Sequence, residues 1–279
     1  WLWQMAMPEQ DVPDKDLALK LNAAVGALEQ FLVFSGRWDE QLQLSAWAYE
    51  LMHKLEMWRA AGWRAYGSVW IHLERGNTDE AAHWLDRCDE LWSRSGSSQE
   101  RVADVAQLRG VVARGRHDYD GARRLFGKAL TIYRDLGLAV DVSRTLVSLG
   151  NVEQEVKAYD VSQRYFRESL EIDTNLDDKS GMAVSLGNLA ELAIARERWD
   201  EARDLCEDGL RLARGVPRQD LISGIARCLA QVHEKQGRPD LALSLAQEAL
   251  AIEERLRSKN LGEAKELVER LKSIVPGGG

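Results

Sequence analysis

The chain has 279 residues and 45% hydrophobic content, enough to pack one large domain or two small ones. Its formal net charge of −8 and pI near 5.3 exclude the basic stripe that a nucleic-acid surface needs. Cys88, Cys206 and Cys228 have no paired spacing, which predicts reduced thiols in a cytoplasmic protein, and no signal peptide or apolar run of transmembrane length is present.

Leu, Ala, Glu and Arg dominate, and no alternating β-branched run of strand length occurs. The expected class is therefore all-α. Residues 1–13, WLWQMAMPEQDVP, match nothing later in the chain and read as an N-terminal segment, the end of an upstream domain. From there helices are predicted in pairs: 14–34 and 39–56, 57–75 and 78–94, 99–115 and 119–136, 138–156 and 159–175, 180–196 and 199–215, 218–236 and 239–257. A last helix near 260–274 would cap the array within a segment 258–274, and 275–279 reads as a tail or scar. Both ends look like cuts in a longer protein.

The pairs share a register. The turn blocks GRWDEQ (36–41), GNTDEA (76–81), HDYDGA (117–122), KAYDVS (157–162), ERWDEA (197–202) and GRPDLA (237–242) recur in steps of 40, 41, 40, 40 and 40. The single extra residue is expected near His117. Seven positions after each block stands a small residue: Ala48, Cys88, Ala129, Ser169, Gly209 or Ala249. Ten positions after stands a large aliphatic: Leu51, Leu91, Ile132, Ile172, Leu212 or Ile252. With the large residues at the third position these lie on one helix face, where the small one admits a neighbouring helix. Asp39, Asp79, Asp120, Asp160, Asp200 and Asp240 recur two residues before each block's end. They are expected in the first turn of a helix, facing the positive end of its dipole, and not in a shared catalytic site. On the preceding helices a small residue precedes the turn at Gly110, Gly150, Ala190 and Ala230, whereas the first two units carry Glu29 and Val69. Trp38 and Trp199, in the two copies of RWDE, are expected to fill one packing role.

The pattern LG, then a turn of the form G-x-[YW]-[DE]-x-A, then A-x-x-L/F-x-x-x-A-L resembles the tetratricopeptide repeat. LGNVEQEVKAYDVSQRYFRESLEI (149–172) and LAELAIARERWDEARDLCEDGLRLA (189–213) carry it best, and the resemblance covers about residues 20–257. The 40-residue period and the missing Pro at the end of the second helix are similar to the long repeats of kinesin light chain and of bacterial NB-ARC/STAND signalling ATPases. The resemblance implies an α-solenoid, a right-handed superhelix of six helix pairs (14–257) plus a C-terminal capping helix, with partners bound on the concave face of the first helices.

No GxxxxGK[ST], GxGxxG or GxSxG motif occurs, and His72 and His83 lack ligand spacing, so no enzyme, cofactor or metal is expected. Nine of the ten Trp lie in the first 92 residues. Trp63, Tyr66 and Trp70 follow i, i+3, i+7 on one helix, as a partner-binding aromatic platform or as interhelix core beside Val69. Gln107, Arg114, Arg144, Asn151, Gln154, Arg227 and Gln231 complete the candidate set on the later first helices. The implied function is a protein- or peptide-binding scaffold, the sensor or interaction region of a larger cytoplasmic bacterial signalling or defence protein, possessing no nucleic-acid or membrane partner and an upstream nucleotide-binding domain in the same chain. The alternatives are a self-assembly module and a small-molecule-sensing regulatory domain.

Overall fold

The computed structural model describes residues 14–275; the N-terminal segment 1–13 and the last four residues lie outside it. The described residues form thirteen α-helices and no strand. They are α1 (Lys15–Phe34), α2 (Trp38–Lys54), α3 (Trp58–Glu74), α4 (Thr78–Arg94), α5 (Gln99–Gly115), α6 (Tyr119–Asp135), α7 (Ala139–Glu155), α8 (Tyr159–Asn175), α9 (Lys179–Ala195), α10 (Trp199–Ala213), α11 (Gln219–Lys235), α12 (Pro239–Leu256) and α13 (Leu261–Ile274). Two compact units divide the chain between Leu108 and Arg109. In each, consecutive helices pack as antiparallel pairs.

The turns explain the period. Most helices run 17 residues and then place one residue in the left-handed region: Gly36, Glu56, Gly76, Gly96, His117, Gly137, Lys157, Asp177, Glu197, Gly237 and Arg257. The bonds His117 N–H to Arg114 O and Asp118 N–H to Ala113 O illustrate the closure, which satisfies the last carbonyls of the helix. The true half-period is thus 20 residues. Pro217 occupies one such place; its ring fixes φ negative, and α10 stops early at Ala213. The extra residue lies in the α4–α5 turn at Ser97–Ser98, not near His117, because α5 begins three residues after Gly96 where the other helices of the six pairs begin two after the left-handed residue.

Packing follows volume at fixed register. The block-end residues Gln41, Ala81, Ala122, Ser162, Ala202 and Ala242 are all fully buried, and the small residues seven further on are buried too. In the second unit a Cβ on Gly150 would lie 2.4 Å from Phe166, and one on Gly110 2.5 Å from Phe126. The same two positions hold Ala190 with Cys206 and Ala230 with Ala246, so the small side grows as the large side shrinks. In the first unit they are Val69 and Leu85, which explains how that unit dispenses with its small residue.

All six recurrent aspartates sit in first helical turns as the pattern predicts. Several also receive a donor 36 residues downstream, from the end of the next pair's first helix: Arg75 to Asp39 at 2.8 Å, Arg196 to Asp160 at 2.6 Å and Gln236 to Asp200 at 3.1 Å. The two RWDE tryptophans differ. Trp38 is 2% exposed, donates Nε1–H to Val33 O and meets Trp70 edge-on at 5.5 Å, whereas Trp199 is only half-buried. Gln231 stands where Trp70 stands in the first unit, so Trp199 lacks an aromatic partner there.

Within the second unit, α9 packs on both α7 and α11, so the first helices form one continuous layer. The second helices α6 and α8, and α10 and α12, are joined by long side chains, Arg134 to Glu168 at 2.7 Å and Arg214 to Glu248 at 2.8 Å. No described helix is long and apolar enough to cross a membrane.

Candidate binding face

The candidate residues share four register rows on the first helices. Trp63, Asp104, Arg144, Val184 and Gly224 form one row; Tyr66, Gln107, Val147, Gly187 and Arg227 the next. Trp70, Val111, Asn151, Glu191 and Gln231 form the third, and Leu73, Arg114, Gln154, Ile194 and Glu234 the fourth. Successive rows are three or four residues apart, so all four occupy one side of each helix.

In the first unit the aromatic triad divides. Trp63 and Tyr66 meet edge-on at 5.6 Å and both contact Trp92, at 5.3 and 5.6 Å. The Arg101 guanidinium lies 4.3 Å from the Trp63 centroid and also pairs with Asp104, which is therefore buried and not presented to a groove. Trp70 turns the other way, onto Trp38 of α2. Trp63 alone keeps substantial exposure, 37%. Beside it opens a cavity of about 520 Å³ lined by Leu19, Asn22, Met57, Trp58, Trp63 and Arg64. The Arg64 Nη1 lies 3.1 Å from Glu29, while its Nε and the Asn22 Oδ1 are buried without a hydrogen-bond partner. Burial pushes the Glu29 carboxyl up despite that guanidinium. Gln107 is half-buried on α5, at the end of this unit.

In the second unit Arg144 is largely exposed, with Asp141 3.4 Å away, and Arg114 lies 3.8 Å from Glu155. Asn151 and Gln231 are half-buried at one register position, with Glu191 at the same position on the helix between them. Glu191 accepts from the Cys228 thiol at 3.6 Å. The Gln154 Oε1 is buried without a partner. Arg227 is drawn off the face: it donates to Glu263 of α13 at 2.6 Å, and Glu234 accepts from Arg270 at 2.8 and 2.9 Å. The last helix thereby occupies polar groups of α11 and apolar ones of α11 and α12, Leu267, Val268 and Leu271 packing with Ala230, Ala242 and Ala246. The glycines matter at two positions. A Cβ on Gly187 would lie 3.2 Å from Ile225 of the next first helix, whereas the space at Gly224 is open.

Sequence reasoning missed the lining residues Asn22, Met57 and Trp58: Met57 and Trp58 stand at a turn and a helix start, which carry no periodic signal of their own, and Asn22 lies inside α1, whose unit lacks the small-residue mark of the later ones. It also missed Arg101 as the cation over Trp63. The Cys206 thiol is pushed up to about 12 by burial, and Cys88 and Cys228 are raised by the same cause, so none supplies a ready thiolate. No group of three or more His, Cys, Asp or Glu able to hold a metal occurs among the described residues.

These helical pairs in fixed register, with a continuous layer of first helices, define an α-solenoid. Two family models described as tetratricopeptide repeat match residues 141–215 and 225–248, so the second unit carries tetratricopeptide repeats over those residues. No curated protein matches the sequence. Among solved structures, a Rap protein complexed with Competence and Sporulation Factor has a TM-score of 0.65 at 11% identity, with 97% of this chain and 82% of that chain covered. The Rap conjugation gene regulator of the plasmid pLS20, in complex with the Phr* peptide, has 0.64 at 14%, covering 90% and 74%. BtubC (BKLC) from P. vanneervenii has 0.57 at 16%, covering 87% and 95%. At such identities the likeness is one of fold.

Proposed function

We propose that this chain is a protein- or peptide-binding scaffold whose partner lies across the first helices. The observation that carries the reading is the row Asn151, Glu191 and Gln231. Three polar side chains, none fully buried, stand at one register position on three consecutively packed helices. Helices pack about 8–10 Å apart, which is close to three residues of extended chain. An extended peptide would therefore meet one amide or carboxylate at every third residue. Arg144 at one edge and Arg114 with Gln154 at the other would hold its flanks, and Gly224 leaves room for a side chain. Arg227 steadies the α11 end through Glu263. In the first unit Trp63 and Tyr66 would present an apolar wall, with Gln107 beside it; Trp70 packs on Trp38 and takes no part in that wall. Two of the solved structures of similar fold hold such partners, the Competence and Sporulation Factor and the Phr* peptide. The scaffold would act as the sensor or interaction region of a larger cytoplasmic signalling or defence protein, with binding biasing the conformation of an attached effector.

Selection of a random-peptide display library on the chain tests this. Enriched peptides should lose at least tenfold in affinity on Asn151→Ala with Gln231→Ala, and nothing on Arg167→Ala of the exposed α8 surface. A library that enriches nothing, or peptides insensitive to the row, would defeat the reading.

The cavity beside Trp58 and Trp63 favours a second reading, a sensor of small apolar ligands. Quenching of tryptophan fluorescence by a small aromatic acid, abolished by Leu19→Trp, would support it.

A further inference from the structure

The ion pair Glu29–Arg64 breaks the register of the repeats. Arg64 of α3 stands where α5, α7, α9 and α11 carry Val105, Thr145, Ser185 and Ile225, all buried and none charged. Glu29 of α1 stands where the later first helices carry Val69, Gly110, Gly150, Ala190 and Ala230. Two ionic side chains thus replace core residues, at a desolvation cost that apolar ones would avoid. Gly26 and Gly67 make room for them. A Cβ on Gly26 would lie 3.4 Å from the Arg64 Nη2, and one on Gly67 would strike the Glu29 carboxylate.

Arg64 also lines the cavity beside Trp58 and Trp63, although the residue is only 8% exposed. Its ion pair with Glu29 runs through Nη1, at 3.1 Å, and Nε is buried without a hydrogen-bond partner. The guanidinium therefore keeps capacity for another acceptor. Burial disfavours the Glu29 carboxylate, which makes it an exchangeable partner. Leu19, Met57, Trp58 and Trp63 supply the apolar walls. Other cations hold the two tryptophans in place, Arg94 over Trp58 at 5.4 Å and Arg101 over Trp63 at 4.3 Å. Glu56 and Arg59 line the cavity too, but both are exposed and offset each other in charge. A volume of about 520 Å³ suits a small ringed molecule.

We infer that the cavity takes a small aromatic monocarboxylate, its ring against Trp58 and Trp63 and its carboxylate on the Arg64 guanidinium in place of Glu29. This rests on the reading of the cavity as a small-ligand site and adds the charged end of the ligand. A planar carboxylate matches the guanidinium fork, which is why an arginine and not a lysine suits the position. The uncharged amide of the same ring fills the apolar walls but leaves the guanidinium to Glu29.

Titration calorimetry of the 279-residue chain with naphthylacetate and naphthylacetamide tests this. The acid should bind about tenfold more tightly than the amide, the effect of one hydrogen bond to a charged group. Glu29→Gln frees the guanidinium and should tighten the acid by about another tenfold while leaving the amide unchanged. Glu29→Gln with Arg64→Gln leaves no charge at the pair and should bind the two probes alike. Leu19→Trp should abolish both. Equal binding of acid and amide by the parent chain would leave a small-ligand site and overturn the carboxylate. Heat from neither probe would remove the small-ligand site as well. An acid preference that persists in the double variant places the carboxylate on another cation and overturns the inference. So does binding that appears only after residues 1–13 are removed, since the cavity would then be filled from within the chain.

Discussion

Arg196 donates to Asp160 at 2.6 Å and lies over the Tyr159 ring at 5.8 Å. Arg75 repeats the arrangement in the first unit, with Asp39 at 2.8 Å and the Trp38 ring at 5.9 Å. An aromatic–Asp dipeptide at the start of one second helix is thus held by the Arg that ends the next first helix. The dipeptide fixes a turn, and the arginine links consecutive repeats.

Replacing Arg196 with Ala should therefore cost about 1 kcal/mol. A hydrogen bond to a charged group is worth more when buried, but Asp160 is almost fully exposed and solvent screens it. Urea denaturation of Arg196→Ala, Asp160→Ala and the double variant should show coupling between the two changes. Additive effects would mean the pair is ornamental.

Gly150 and Gly127 both lie in helices of the second unit and should respond with opposite sign to alanine. At Gly150 the new Cβ meets Phe166 at 2.4 Å, so overpacking should destabilise by about 1–3 kcal/mol. At Gly127 nothing lies within 4 Å, so the gain in helix propensity should stabilise by about 0.5–1 kcal/mol. Thermal melts of the two variants check the pair directly.

Asp173 is 2% exposed among Ser143, Ser169 and Ser185, whose hydroxyls form a chain at 2.8 and 2.9 Å. Burial raises its carboxyl above the usual value although the hydroxyls oppose the shift. The native state therefore binds the proton more tightly than the unfolded state. The stabilisation this gives is complete at pH below the unfolded pKa and is lost as pH rises through the folded pKa. Asp173→Asn should leave the protein as stable as the parent or more so at pH 7, with the advantage shrinking towards pH 4. Denaturation at both pH values measures it; a variant much weaker at pH 7 would mean the charged form is well satisfied.

Much of this was legible in the sequence. The turn blocks fixed six pairs and a final helix, and the in-phase small residues marked the close contacts, because both follow from a register repeated every 40 residues. The 20-residue half-period was hidden, because Glu56, His117, Lys157, Asp177 and Glu197 adopt the left-handed turn conformation that only glycine advertises. The face of the candidate residues was legible for the same reason as the fold: Asn151 and Gln231 are one register position. Their pairing was not. That Arg227 is taken by Glu263, Asp104 by Arg101 and Trp70 by Trp38 depends on side chains from neighbouring helices, which no single repeat specifies.

The central claim is that partners meet the first helices and that the second helices only pack. Photo-cross-linking addresses it most directly, with benzoylphenylalanine placed singly at Gln231 of α11 and at Arg167 of α8 in cells that express the chain. A discrete cross-linked partner at Gln231 and none at Arg167 is the expected result; adducts at Arg167 with none at Gln231 would contradict it.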